Sequence, residues 1–378
     1  VKGLGMRVNF GDLRIGKVAQ SNLQKVVNSH WASEGPLVAE FEKQWGELFD
    51  YKHSVSMSSG TDADINACLM LYDFGAQRGD EIICPACTFV ATANAILAAG
   101  FVPKFVDIDR VTLNVDPDKI EDAITSKTRA IMVTHTMGKP CDMDAIMQIA
   151  NSNNLFVIED SCEAHGAMYK NKYVGKIGHV ATFSFYTAHI VVAGEGGMCS
   201  TDREDIAGVL RSTRSHGRKA GSAFFDFDRH GINSKMNDLE AALGLEGVKC
   251  FWETIDKRNQ NKELLFSLIR DLSDVVKFWE DEPHERISPH ALPLMLLKDD
   301  KKKCGDLYKF LEDNSIQCKT LFGSLPTQHK VYEHMGYRLG DFPEAEYVGR
   351  NGVHFGIHQY LNADDVHYIS DILHKFFK

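Results

Sequence analysis

The chain has 378 residues, 44% hydrophobic and 25% charged, with a formal net charge of −10, the composition of an ordinary globular protein long enough for two domains. The acidic balance argues against nucleic acid as a partner, because phosphate contacts need clustered Lys and Arg, and the cluster at 299–303 mixes both signs. No apolar run approaches the roughly 20 residues of a membrane span, and the first residues lack a signal-peptide pattern, so a cytoplasmic protein with no membrane partner is expected.

Along the first two-thirds, short apolar β-rich runs alternate with longer helical patterns, which predicts an α/β protein with a mainly parallel sheet covered by helices. Strands are expected at 81–84, 103–106, 130–134 and 155–159, with helices at 62–72, 89–99, 117–125 and 142–151, several of them preceded by Asp, Ser or Thr as caps. A continuous helix from 238 to about 272 is expected to link two domains. Beyond about 278 the text reads as a smaller α+β unit, with strands at 291–297 and 316–320 and helices at 305–312 and 363–376. These patterns divide the chain into a large domain, 1–250, and a small one, 251–378.

The nine cysteines are an odd number scattered through apolar runs, as expected of reduced thiols. Cys84-Pro-Ala-Cys87 has CxxC form, but no second pair lies at zinc-ribbon spacing, so no metal site is expected.

Three segments place chemistry-bearing residues at element ends. Ser58-Ser-Gly-Thr-Asp62 runs from a β-rich stretch into a helix, where backbone N–H groups and hydroxyls suit a phosphate or simply cap the helix. The run Leu155 to Asp160 is a buried-type strand that ends in two acids, and the carboxyl ends of such strands are where α/β proteins bind ligands. There Asp160 either serves a ligand or caps the next turn. Finally, Ser184 and His189 stand beside an apolar strand and before the Gly194-Glu-Gly-Gly197 turn, and His189 alone reads as well as a structural histidine.

Together with Pro85-Ala-Cys-Thr-Phe-Val-Ala-Thr92, Phe105-Val-Asp-Ile-Asp109, Ile158-Glu-Asp-Ser-Cys-Glu-Ala-His-Gly-Ala167, Phe183-Ser-Phe-Tyr186 and Gly231-Ile-Asn-Ser-Lys-Met236, these blocks resemble the DegT/DnrJ/EryC1/StrS family of pyridoxal-phosphate-dependent nucleotide-sugar enzymes. The resemblance covers nearly the whole chain. It implies the fold-type I, aspartate aminotransferase-like architecture: a large domain around a mostly parallel seven-stranded sheet, a smaller C-terminal domain, and a homodimer with shared active sites. By the same resemblance Gly60, Thr61 and Ser184 hold the cofactor phosphate and Phe89 stacks on the pyridine ring. Asp160 pairs with the ring nitrogen, Glu163 lies near the ring hydroxyl, and Asn233 reaches the phosphate of the partner subunit.

The departure from the family pattern is His189. Aminotransferases of the family have Lys here, because a primary amine can bind the cofactor covalently and an imidazole cannot. The change resembles the family's 3-dehydratase branch, as do Ser215-His-Gly-Arg218 and Asn351-Gly-Val-His-Phe-Gly-Ile-His-Gln359. That branch implies noncovalent pyridoxal or pyridoxamine 5'-phosphate, His189 as the catalytic acid–base group, and removal of the C3 hydroxyl from a nucleotide-linked 4-keto-6-deoxysugar, with a GDP-sugar favoured. Glutamate then restores the amine form, and His216 and Arg218 contact the sugar or its diphosphate. The branch's CDP-sugar enzyme carries an iron–sulfur cluster on cysteines in this stretch; residues 210–236 here contain none, so no cluster is expected. The alternatives are an aminotransferase that makes an amino sugar and a catalytically silent binding homologue.

Overall fold

The computed structural model describes residues 5–279 and 281–378. Nine strands occupy the first two-thirds: β1 (His53–Met57), β2 (Glu81–Pro85), β3 (Val102–Val106), β4 (Thr128–Thr134), β5 (Phe156–Asp160), β6 (Met168–Tyr169), β7 (Lys172–Tyr173), β8 (Val180–Ser184) and β9 (Gly197–Thr201). Seven of them form one sheet in the order β1-β9-β8-β5-β4-β2-β3. The pairs from β8 to β3 are parallel, and β9 alone runs against its neighbours β1 and β8. Helices cover both faces, so Ile82, Ile83, Met132, Val133, Val157 and Ile158 are fully buried. That double burial is why these strands read as unbroken apolar runs.

Four strands and four helices of the large unit fall where the sequence places them, within one to three residues at most ends. The long linking helix does not. It is two helices, Asp238–Lys249 and Phe251–Ile269, broken at Cys250, whose backbone (φ −95°, ψ 8°) leaves the helical region. Phe251, the first residue after the break, is fully buried, with its ring 5.0 Å from that of Phe49. Nothing in this Leu-, Glu- and Lys-rich text marks the interruption.

The smaller unit contains β10 (Val276–Lys277), β11 (Glu285–Arg286), β12 (Ala291–Leu296), β13 (Cys318–Thr320) and β14 (Gly352–Gly356). An antiparallel sheet runs β10-β12-β14-β13, while β11 joins β6 and β7 of the large unit. Leu265, Leu292, Leu307, Val353 and Ile369 pack into a second core, and Val8 joins them from the opposite end of the chain. Backbone hydrogen bonds of Val8 with Ser315 (3.0 Å) and Gln317 (2.8 Å) hold it there.

All nine cysteines are free, and Cys84 and Cys87 are buried, with the Cys87 thiol pushed up to about 12 chiefly by burial. Burial of both disfavours the free thiolate that redox exchange requires. Among the described residues no helix is long and apolar enough to cross a membrane.

Candidate active site

A cavity of about 380 Å³ opens at the carboxyl ends of the parallel strands. One wall is the N-terminus of the helix Gly60–Leu69. The Ser59 hydroxyl accepts the Asp62 amide at 3.0 Å, so the Gly60 and Thr61 amides, which have no intrahelical acceptor, remain for a ligand. Gly60 is required by close approach: a Cβ there would lie 2.5 Å from the Ser184 Cβ. Gly197 on β9 is tighter still, since its Cβ would meet the Ser59 carbonyl at 2.1 Å. Two glycines thus press β8 and β9 against the helix N-terminus, gathering Gly60, Thr61 and Ser184 into one polar cradle.

The floor is the end of β5. The buried Asp160 carboxylate accepts the Thr92 hydroxyl (2.8 Å), the Cys162 amide (3.2 Å) and, at 3.5 Å, the Thr134 hydroxyl. Burial still raises its pKa above the ordinary carboxylate range, against the lowering effect of these donors. Glu163 accepts the Met137 amide at 2.7 Å and is pushed up to about 7, mainly by burial, so it is part-protonated at neutral pH. Phe89, which is 55% exposed, faces the cavity from the start of the helix Val90–Ala98.

His189 lies on the loop after β8. Its amide donates to the Tyr186 carbonyl (2.9 Å), its carbonyl accepts from Arg258 Nη2 (3.0 Å), and its Nδ1 is buried without a partner. Burial, reinforced by the Arg258 charge, pushes the imidazole down to about 3, so the ring is neutral at physiological pH. Arg258 is itself buried and also donates to the carbonyls of Pro289 (3.1 Å) and His290 (3.0 Å) and to Gln359 Oε1 (3.0 Å). One guanidinium therefore fixes the His189 loop against the smaller unit.

Sequence reading assigns no role to the opposite wall. His290, Lys319, His354, Phe322 and Phe10 line it, all from the smaller unit or the N-terminal segment. The His290 ring lies 4.8 Å from that of His189, and its Nε2 is 3.7 Å from Glu163 Oε1. Lys319 and His354 are paired across β13 and β14, far apart in sequence. The quoted block 351–359 contains His354 but gives no hint of its neighbours. His165, fully buried, accepts the Val191 amide at 3.3 Å and supports the His189 loop from behind.

Gly60, Thr61, Phe89, Asp160, Glu163, Ser184 and His189 all share the cavity, but His216, Arg218 and Asn233 do not. They are exposed on the segment 215–233, where Asn233 bridges to Ser215 and accepts Lys235 Nζ at 2.6 Å. Arg218 stacks over Phe225, which is 86% exposed beside Phe224 at 81%.

Comparison with known proteins adds three findings. Residues 14–374 match the model of the DegT/DnrJ/EryC1/StrS aminotransferase family. A GDP-4-keto-6-deoxy-D-mannose 3-dehydratase of Yersinia pseudotuberculosis is 30% identical over 93% of this chain and 94% of its own, and a GDP-perosamine synthase of Escherichia coli O157:H7 is 31% identical over 94% of each. The solved structure of an E. coli GDP-4-keto-6-deoxy-D-mannose-3-dehydratase with bound hydrated PLP superposes with a TM-score of 0.89, at 26% identity, covering 97% of this chain and 99% of that one.

Proposed function

Since the chain belongs to the DegT/DnrJ/EryC1/StrS aminotransferase family and has its fold-type I architecture, we propose that it is a nucleotide-sugar 3-dehydratase. Its substrate in this reading is a 4-keto-6-deoxyhexose carried on a nucleotide, with GDP favoured, and glutamate is the amino donor. The observation that carries the reading is His189: the loop position that faces the cofactor cavity presents an imidazole, which cannot anchor an aldehyde covalently.

The residues fit pyridoxamine or pyridoxal 5'-phosphate held without a covalent bond. The glycine-tightened cradle of Gly60, Thr61 and Ser184 suits a phosphate, Phe89 one face of a planar ring, and the Asp160 carboxylate a protonated ring nitrogen. When bound, the cofactor supplies an amine for the sugar ketone and a ring that withdraws electrons. His189 would be the group that takes a proton from the cofactor's C4′ carbon and passes it to the C3 oxygen, which leaves as water. Its basicity rises when phosphate and other negative groups enter, since these favour the charged imidazole. Glu163 would lie near the ring hydroxyl. His216, Arg218 and Asn233, outside their own cavity, serve that of a second copy in a homodimer.

The test is mass spectrometry of GDP-4-keto-6-deoxymannose after incubation with the protein, pyridoxal phosphate and glutamate. Loss of the C3 oxygen with release of ammonia is expected; a 4-amino sugar that keeps that oxygen overturns the reading. That second outcome has one structural argument in its favour, because Lys319 also lines the cavity. Borohydride reduction of the loaded protein separates the two: no covalent cofactor is expected, whereas an adduct at Lys319 establishes an aminotransferase with a relocated lysine.

A further inference from the structure

Asp160 is not the sole acid at the floor of the site. Asp64, one turn into the helix Gly60–Leu69, lines the same cavity and is 1% exposed, against 5% for Asp160. Carboxylate oxygens of the two residues and the Cys162 sulfur all lie within 4.8 Å of one another. Two carboxylates this close and this deep do not both ionise; one retains a proton.

Hydrogen-bond donors decide which. Asp160 receives the Thr92 and Thr134 hydroxyls and the Cys162 amide, whereas Asp64 receives the Thr182 hydroxyl at 2.6 Å. The remaining titratable neighbours of Asp64 are Cys68, Cys162 and Cys199, neutral thiols raised by burial, and none supplies a positive charge. His135 approaches Asp160 from behind and is hydrogen-bonded to the Glu159 carboxylate at 3.0 Å.

We infer that Asp64 is a positioning residue that carries the single proton of a two-carboxylate pair, leaving Asp160 as the one anion beneath the cofactor ring. The role rests on the cofactor reading above; the proton itself does not. Burial and the Asp160 charge both push Asp64 well above the ordinary carboxylate range, with the Thr182 bond opposing them. A neutral Asp64 keeps the negative charge on one residue, so the ring nitrogen meets a single fixed partner. Loss of that proton at higher pH places a second charge under the ring.

The proton is read by infrared difference spectroscopy on the protein as purified, at neutral pH. A carbonyl stretch of a protonated, buried carboxylic acid is expected, removed by Asp64→Asn and retained in Glu163→Gln, which deletes the other part-protonated acid. Identical spectra for wild type and Asp64→Asn overturn the inference. A variant that needs no change at Asp64 gives a second route: Thr182→Val removes the donor that favours ionised Asp64, so the band must persist to higher pH. An unchanged pH range for that band overturns it too.

Titration with pyridoxamine 5'-phosphate then tests the role. Asp64→Asn is expected to bind within about threefold of wild type at neutral pH and to lose the wild-type change in cofactor absorbance on raising the pH. Retention of that change overturns the positioning role. Undiminished binding by Asp160→Asn, in contrast, sinks the cofactor reading and leaves the infrared result standing.

Discussion

His189 has a buried Nδ1 without a partner, a carbonyl held by Arg258 and a neutral ring, which together describe a histidine held in one position at the cavity wall. Replacement by Asn removes the proton acceptor but little volume. His189→Asn is expected to lower kcat by about 10²–10⁴-fold, with pyridoxamine-phosphate affinity near wild type; equal turnover in both proteins removes His189 from the chemistry. His189→Lys restores a primary amine at this position, so borohydride reduction should fix the cofactor to residue 189, as seen by peptide mass mapping. Gly60, Thr61, Asp160, Ser184 and His189 were legible because each sits in a contiguous block at the end of one strand. His290, Lys319 and His354 were not, since their adjacency is made by antiparallel pairing of β12, β14 and β13, and no local pattern carries that pairing.

At the scale of elements, the cradle depends on how closely β8 and β9 approach the helix Gly60–Leu69. Gly60→Ala inserts a methyl 2.5 Å from the Ser184 Cβ, so cofactor affinity should fall by at least about tenfold while far-ultraviolet circular dichroism stays unchanged. Unaltered affinity in an equilibrium titration means that the phosphate lies elsewhere. The helix Asp238–Lys249 begins with a capping box in which Asn237 accepts the Leu239 and Glu240 amides and Glu240 returns to the Asn237 amide. Asn237→Ala is therefore expected to cost about 1 kcal/mol in urea unfolding. Caps of this kind and buried apolar runs were readable in advance. The break at Cys250 and strand β14, read only as part of a motif, were not, because both are imposed by packing against residues distant in the chain.

At the scale of the whole molecule, burial holds a set of histidines neutral, three of them lining the cavity. His189 and His354 are pushed down to about 3 and His358 to about 4, and His165 and His290 lie well below the usual range, in each case chiefly through burial. A histidine depressed in the fold contributes stability above its unfolded pKa of about 6.5, and that contribution is lost as pH falls through the folded value. The raised carboxylates Asp64, Asp160 and Glu163 act in the opposite sense, with stability present below about pH 4 and fading as pH rises, through about 7 for Glu163. The depressed histidines make the melting temperature fall as pH drops from about 6.5 toward 3, and His354→Phe should flatten that fall. A melting temperature that climbs on acidification contradicts this balance. The exposed segment 215–233 supplies a separate test of assembly: mixing His189→Asn with Asn233→Ala subunits should restore part of the activity that each variant lacks alone, and no restoration argues against shared sites.

The antiparallel strand β9 also sets an order of events during synthesis. Strand β1 finds its sheet partner only in β9, about 150 residues later in the chain, with His53 opposite Thr201 and Met57 opposite Gly197. On a ribosome, the half of the cradle that follows β1 therefore emerges long before the glycine that closes over it. The nascent chain has no complete polar cradle until β9 has cleared the exit tunnel.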